Sequence, residues 1–455
     1  MTERSSKQPK IAPEFETVGQ FNAEINEVGY ARYNYKELQE RETQLAEMIK
    51  GASDVALFNS GAAAMHSVIE AEGLKFGDVV FCADAIYGTT KKDIESLKDL
   101  GVKVVFFDST DLVGLQKLVK RENPRLIVAE TVANSKSMEV TDLEGLGEIV
   151  QTTNVDYQKN RTPEKVLAKF LEKREDHIEL SAETRDVILT AIEEYKVGQN
   201  PFVFRKAVKC IEQDTALSRT EVVRELERIV KRVMGDSRGK LSLVIDNTLP
   251  SPELINPLQV LQEFEIEKVI VESGTKHFQE GANEVTLGIA YSDNDQKIKA
   301  IKARRIELGT YLQPTDERKI PDSISETMPG KMRNHARNAL QLAEALSEIT
   351  GFEVFHPNLP THKQNELAQE LAPDGAVTLF YMTVPEKITS EEFMQKVKER
   401  AGDEVGLGSS FGHEKTWLSN YGMDNRTVRI AAGSESEQDF SNIVHFFTQA
   451  ASELL

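Results

Sequence analysis

The chain reads as an α/β protein: a mostly parallel β-sheet carrying a helical insertion, followed by a smaller α+β domain. Three observations predict this. Short unbroken apolar runs alternate with helix-like stretches up to about residue 150 and resume after about residue 240. A charged segment without strand-like runs separates the two series. Beyond Lys302, strands and amphipathic helices occur without a long alternating series. Continuous apolar strands are what burial on both faces of a parallel sheet demands.

Residues 1–29 are polar and weakly periodic and read as an arm, and the pattern from Ala31 to Gly51 is helical and charged. Strands are expected at Val55–Phe58, Val79–Cys82, Val102–Phe107 and Leu126–Ala129, and again at Leu241–Ile245, Val269–Val271 and Val285–Ala290, seven in all. Between about Gln151 and Lys240 the pattern is wholly helical. Thr162 before Pro163 reads as an N-cap with proline at the first helical position, followed by a stripe of Val166, Leu167, Phe170 and Leu171. Ser218-Arg-Thr-Glu221 reads as a capping box, with apolar residues from Val222 to Val233 after it and Gly235 as a stop. The plain reading is a helical subdomain packed on its own stripes; a lid or partner-binding surface is the alternative. Past Lys302, a long helix is expected at Pro329–Ser347, strands at Phe352–Phe355, Val377–Val384 and Val428–Ala431, and helices at Ser390–Arg400 and Ser436–Ala451. The predicted division is an arm (1–45), a large domain (46–300) interrupted by 151–240, and a small domain (301–455).

At 455 residues the chain exceeds a single core. Its net charge of −19 argues against nucleic acid or an anionic membrane as main partner. Two distant cysteines, Cys82 and Cys210, fit a reducing compartment. The stretch Met1–Lys10 has no apolar core of a leader, and no run approaches the roughly 20 apolar residues of a membrane span, so the cytoplasm is expected. The eight histidines show no metal-ligand spacing, so no metal is expected. Gly406-Leu-Gly408-Ser-Ser-Phe-Gly412 misses the dinucleotide fingerprint by one residue and lies outside the alternating region.

Chemistry gathers at the strand ends. Val269-Ile-Val-Glu-Ser-Gly-Thr-Lys276 runs from an apolar strand into Ser273, Gly274, Thr275 and one lysine. Two hydroxyls and a glycine beside an amine suit a phosphate held next to that amine. Leu243-Val-Ile-Asp246 ends a neighbouring strand in an acid, whose burial demands a cationic partner. An acid and a lysine so placed are what a pyridine cofactor carrying an aldehyde requires, which points to pyridoxal phosphate (PLP). Ser60-Gly61-Ala62 opens a helix, either as a turn whose free N–H groups meet an anion or as an ordinary strand-to-helix turn capped by the serine, and alone the two readings weigh equally. Tyr87 stands where it could stack on a flat ring. Glu130 and Asn134 mark a further strand end, where ligands of α/β sheets bind. Arg429, inside an apolar strand, needs an anion; a substrate carboxylate and an internal salt bridge serve equally.

In their order along the chain these motifs resemble the Cys/Met-metabolism family of PLP enzymes, which includes cystathionine γ-synthase, cystathionine lyases, methionine γ-lyase and homoserine sulfhydrylases. The resemblance covers roughly residues 30–150 and 241–455. It implies a type I, aspartate aminotransferase-like fold, an amino-acid substrate, and a homodimer or homotetramer with shared sites. Tyr30-Ala31-Arg32 is similar to the family's Tyr-x-Arg, implying that Tyr30 and Arg32 reach a neighbouring subunit's phosphate. Ser60-Gly61-Ala62 resembles Ser-Gly-Met, implying phosphate contacts from Gly61 and Ala62. Tyr87-Gly-Thr-Thr90 resembles Tyr-Gly-Gly-Thr, implying that Tyr87 stacks on the ring and assists proton transfer. Glu130-Thr-Val-Ala-Asn134 implies that Asn134 touches the cofactor's phenolic oxygen. Asp246-Asn-Thr-Leu-Pro-Ser-Pro252 resembles the family's pyridine-nitrogen motif. Ser273-Gly-Thr-Lys276 resembles Ser-x-Thr-Lys, implying phosphate hydroxyls at Ser273 and Thr275 and the Schiff-base lysine at Lys276. Ser410-Phe-Gly412 and Arg429 match the residues that hold the substrate carboxylate. The implied function is transsulfuration chemistry, an elimination or replacement at Cβ or Cγ of a sulfur-containing or O-acylated amino acid. The alternatives are another PLP reaction on the same fold or a PLP-binding regulatory scaffold. The chain departs from the family at Gly281-Ala-Asn-Glu284, at Lys415, where many members carry glutamate, and at the insertion. The lysine favours an acidic distal group on the substrate.

Overall fold

The computed structural model describes residues 35–172, 179–198, 200–236, 240–279, 284–420 and 422–455. Seven strands, β1 (Asp54–Phe58), β2 (Val79–Ala83), β3 (Lys103–Phe107), β4 (Leu126–Glu130), β5 (Ser242–Asp246), β6 (Glu267–Glu272) and β7 (Gly288–Ser292), form one sheet in the order β1-β7-β6-β5-β4-β2-β3. From β3 to β6 every pairing is parallel. Only β7 runs antiparallel to its neighbours, β1 and β6. Both faces are covered, and strand residues alternate between two cores. Phe81, Ile127, Leu243 and Ile245 enter one; Val80, Cys82, Val128 and Val244 enter the other. Each such side chain contributes roughly 1.5–3 kcal/mol by leaving water. The predicted mostly parallel α/β sheet is thus present.

Some boundaries moved. The last sheet strand, expected at Val285–Ala290, is Gly288–Ser292. Leu287 leaves the ladder because the Thr275 hydroxyl accepts its N–H at 2.8 Å. The helical spacing from Ala31 to Gly51 resolves into a helix at Lys36–Met48, its first residues lying outside the described ones. The long helix begins at Ile324, five residues before the expected Pro329, and carries that proline inside. Proline fixes a helical φ, and its missing N–H removes only one bond of this 24-residue helix.

The helix Leu143–Asp156 buries Leu143, Leu146 and Val150 in the large core, and a short π-helix, Tyr157–Arg161, follows it. Helices Pro163–Glu172, Ala182–Gly198, Arg205–Asp214 and Arg219–Asp236 then build a separate core from Val166, Leu167, Ile188, Ile211, Val222 and Ile229. The Thr162 cap is formed, and Ser218 bonds Glu221 as its capping box requires. The last helix ends at Asp236, one residue past the expected stop.

The second sheet contains β8 (Glu353–Phe355), β9 (Leu379–Thr383), β10 (Gly406–Leu407), β11 (Trp417–Ser419) and β12 (Thr427–Ala431), in the order β10-β11-β12-β9-β8. Helices Ile324–Ser347, Ser390–Ala401 and Glu437–Leu454 cover it. Among the described residues, no helix is long and apolar enough to cross a membrane.

Candidate active site

The carboxyl ends of β4, β5 and β6 lie side by side, with Glu130 opposite Asp246 in the parallel register. Chain continuing from these ends borders a cleft of about 360 Å3. Gly61, Ala62, Tyr87, Asn134, Asp246, Ser273, Thr275, Lys276 and Arg429 line it together. Ser410 joins them through its hydroxyl, which accepts a hydrogen bond from Lys276 Nζ at 2.9 Å. Tyr30 and Arg32 lie outside the described residues.

Each wall follows from local chemistry. The loop after β1 opens the helix Gly61–Ala71, capped by Ser60 Oγ on the Ala63 N–H, so further N–H groups of the first turn stay open to the cleft. A Cβ on Gly61 would lie 2.8 Å from Ser273 Cβ, so only glycine lets these two turns approach. The Ser273 N–H donates to Thr248 Oγ1 at 2.8 Å, and the Thr248 N–H donates to Asp246 Oδ1 at 2.9 Å, tying the β5 and β6 ends together. Thr275 Oγ1 is engaged with the Leu287 backbone. Tyr87 is 55% exposed at the cleft, its ring open to a stacking partner.

Glu130 organises the opposite wall. Its two oxygens accept from the Tyr87 N–H at 2.6 Å and the Asn134 N–H at 3.1 Å. The Tyr381 hydroxyl, on β9, donates to Asn134 Oδ1 at 2.9 Å, so the second sheet fixes a side chain that follows β4. Sequence reading marked Glu130 only as a strand-end acid and missed Thr248 and Tyr381. Thr248 was open to detection in Asp-Asn-Thr; Tyr381 carries no signal within its apolar strand.

The cleft is electrostatically divided. Asp246 is half-buried, and its carboxyl is raised above the usual range by desolvation. Burial pushes Glu130 up to about 8, with repulsion from Asp246 adding to it. Across the cleft, Lys276 is lowered by burial and by Arg429. Arg429 donates to the Ser409 carbonyl, its Nε is buried without a hydrogen-bond partner, and no carboxylate is ion-paired with it among the described residues. The internal salt bridge considered from sequence is therefore not what holds this arginine. Lys415 lies away from the cleft, donating to the Asp403 carbonyl at 3.0 Å, so it gives no support to an acidic distal group.

Glu130 gives a test of this electrostatic picture. Between its ordinary value of 4.5 and about 8, the folded protein holds a proton there that the unfolded chain has released. Stability of the cofactor-free protein therefore falls as pH rises through that window. Glu130→Gln should flatten the slope. Urea midpoints at about pH 5.5 and about pH 8 check this, and an unchanged slope in the variant refutes the assignment.

The family model described as Cys/Met metabolism PLP-dependent enzyme matches residues 10–157 and 176–444. The chain is 28% identical over 154 residues to cystathionine beta-lyase of Neurospora crassa, spanning 34% of this chain and 32% of that protein. It is 27% identical over 218 residues to cystathionine gamma-lyase of Dictyostelium discoideum, 45% of this chain and 54% of that one. With human cystathionine gamma-lyase, identity is 21% over 406 residues, 86% of this chain and 76% of that protein. The first two matches thus span about a third and about half of those relatives' length. Among solved structures, cystathionine gamma-lyase from Lactobacillus plantarum, complexed with L-serine, superimposes with a TM-score of 0.67 at 15% identity, covering 98% of this chain and 93% of that one. That likeness is one of fold.

Proposed function

The chain belongs to the Cys/Met metabolism family of PLP-dependent enzymes, and from that premise we propose that it eliminates or replaces a thiol or acyl-oxygen group at Cβ or Cγ of an amino acid. The observation that carries this reading is the convergence of Lys276, Asp246 and Arg429 on one cleft.

The residues fit the cofactor. Asp246, half-buried beside the buried Glu130, calls for a cation, and a protonated pyridine nitrogen supplies one. Gly61, Ala62 and Ser273 would hold the phosphate with Thr275 behind them, Tyr87 the ring face, Asn134 the phenolic edge, and Lys276 the aldehyde. When bound, pyridoxal phosphate supplies a carbonyl that captures amines and a ring that withdraws electrons from the substrate's α-carbon. Arg429 with Ser410 orients the substrate carboxylate. Lys276, its amine lowered by burial and by Arg429, takes the α-proton as a general base. Tyr87 closes over the ring and assists proton transfer.

In this reading the chain works in the cytoplasm as a homodimer or homotetramer. The arm of residues 1–45 brings Tyr30 and Arg32 to a neighbouring subunit, and domains 46–300 and 301–455 enclose the cleft. The test is the absorbance spectrum of the purified protein with PLP, then with cysteine, cystathionine and O-acylhomoserine in turn. A visible band that shifts with one of them, together with its product, supports the reading. No band at all sinks it and favours a scaffold. Arg429→Ala should lower kcat/KM about 10- to 100-fold, chiefly through KM, because charge-assisted bonds to the carboxylate are lost. Steady-state kinetics check this; an unchanged KM would move the carboxylate clamp elsewhere.

A further inference from the structure

Where the insertion meets the large domain, a second groove of about 770 Å3 opens. It lies beside Asn123, at the amino end of β4, whereas the candidate active site lies at that strand's carboxyl end. Five cations line it: Lys120 and Arg121 from the helix before β4, Arg161 from the π-helix, and Lys169 and Arg232 from the insertion. Asp156 is the acid among the lining residues; it pairs with Arg161 at 3.0 Å, and Arg121 pairs with Glu122 at 2.8 Å. The groove therefore keeps a positive excess on a chain whose net charge is −19.

One buried donor points independently to a ligand. Asn123 lines the groove, is 6% exposed, and its Nδ2 has no hydrogen-bond partner. Such a group is costly unless an acceptor arrives. Phe170 adds an aromatic wall, and the volume falls in the range of small-molecule sites. Several guanidinium and ammonium groups around an aromatic side chain suit adjacent phosphates joined to a flat base. We propose that this groove binds a nucleoside di- or triphosphate.

The test is calorimetric titration of the full chain with ATP, ADP and tripolyphosphate at low ionic strength. Pyridoxal phosphate is kept in excess, so that a phosphate at Ser60–Ala62 cannot account for the heat. ATP or ADP is expected to bind more tightly than tripolyphosphate. Combined Lys169→Gln and Arg232→Gln, both at exposed positions, should weaken binding about 100-fold. Arg219→Gln, exposed on the insertion outside the groove, should leave it unchanged. Absence of binding at about 1 mM nucleotide overturns the proposal, as does equal affinity in the double variant. Tripolyphosphate binding as tightly as ATP overturns the assignment of a nucleotide.

Discussion

Lys276→Ala should leave a folded protein with no visible cofactor band and turnover reduced roughly 10^4-fold or more. The side chain is only half-buried, and its described contacts are the Ser410 hydroxyl at 2.9 Å and the face of Phe411 at 5.2 Å, so removing it costs little stability. What is lost is an amine that burial and Arg429 keep below the usual lysine range. Lys276→Arg separates the two roles. Arginine keeps the charge but offers no nucleophile at neutral pH, so it should be as inactive as alanine. Added methylamine should restore part of the activity to the alanine variant and none to the arginine variant. Turnover within tenfold of the parent in Lys276→Ala, measured after dialysis and reloading with PLP, would remove this lysine from the reaction. Gly412 is part of the same construction. Its φ is +85°, and a Cβ there would overlap the Lys276 carbonyl oxygen, so the Ser410–Gly412 turn approaches the lysine only as glycine.

The strands of the seven-stranded sheet were legible because their central residues are unbroken apolar runs, and an acid ends three of them, Glu130, Asp246 and Glu272. Asp246 stands out for that reason, and Lys276 as the lysine four residues past the end of β6. Strand direction was not legible: nothing in Gly288–Ser292 distinguishes a strand entering the sheet antiparallel, and its start depended on a Thr275 hydroxyl from another element. β10 and β11, of two and three residues, are too short for periodicity to register. The end of the large-domain helix at Asp156 was hidden because polar sequence continues smoothly into the π-helix Tyr157–Arg161. Tyr381 was hidden for a different reason. Its partner Asn134 lies 247 residues away, so the contact exists only once the two sheets have come together.

Arg41→Ala should destabilise the full chain by about 3–5 kcal/mol, the cost of leaving a buried charge without its partner. The helix Lys36–Met48 buries Leu38, Arg41, Glu42 and Leu45, an apolar stripe with two charges in its centre. Arg41 is 2% exposed and Glu317, which its Nε reaches at 3.0 Å, is fully buried. Its other nitrogens donate to the Ile320 carbonyl at 3.0 Å, the Pro321 carbonyl at 3.1 Å and Asp322 Oδ1 at 2.8 Å. Glu42 binds Arg305 and the Leu57 N–H on the other side, which fastens the same helix to β1. Two arrangements of charge therefore hold the helix Lys36–Met48, in which the predicted arm ends. Removing only Arg41 takes its ion pair from the Glu317 carboxylate and frees two carbonyls. Combining Arg41→Met with Glu317→Met strands neither charge, so the double variant should be more stable than Arg41→Met alone. Urea unfolding of the three proteins decides it. A cost below about 1 kcal/mol for Arg41→Ala, or additive losses in the double variant, would mean that this helix is held by its apolar stripe alone.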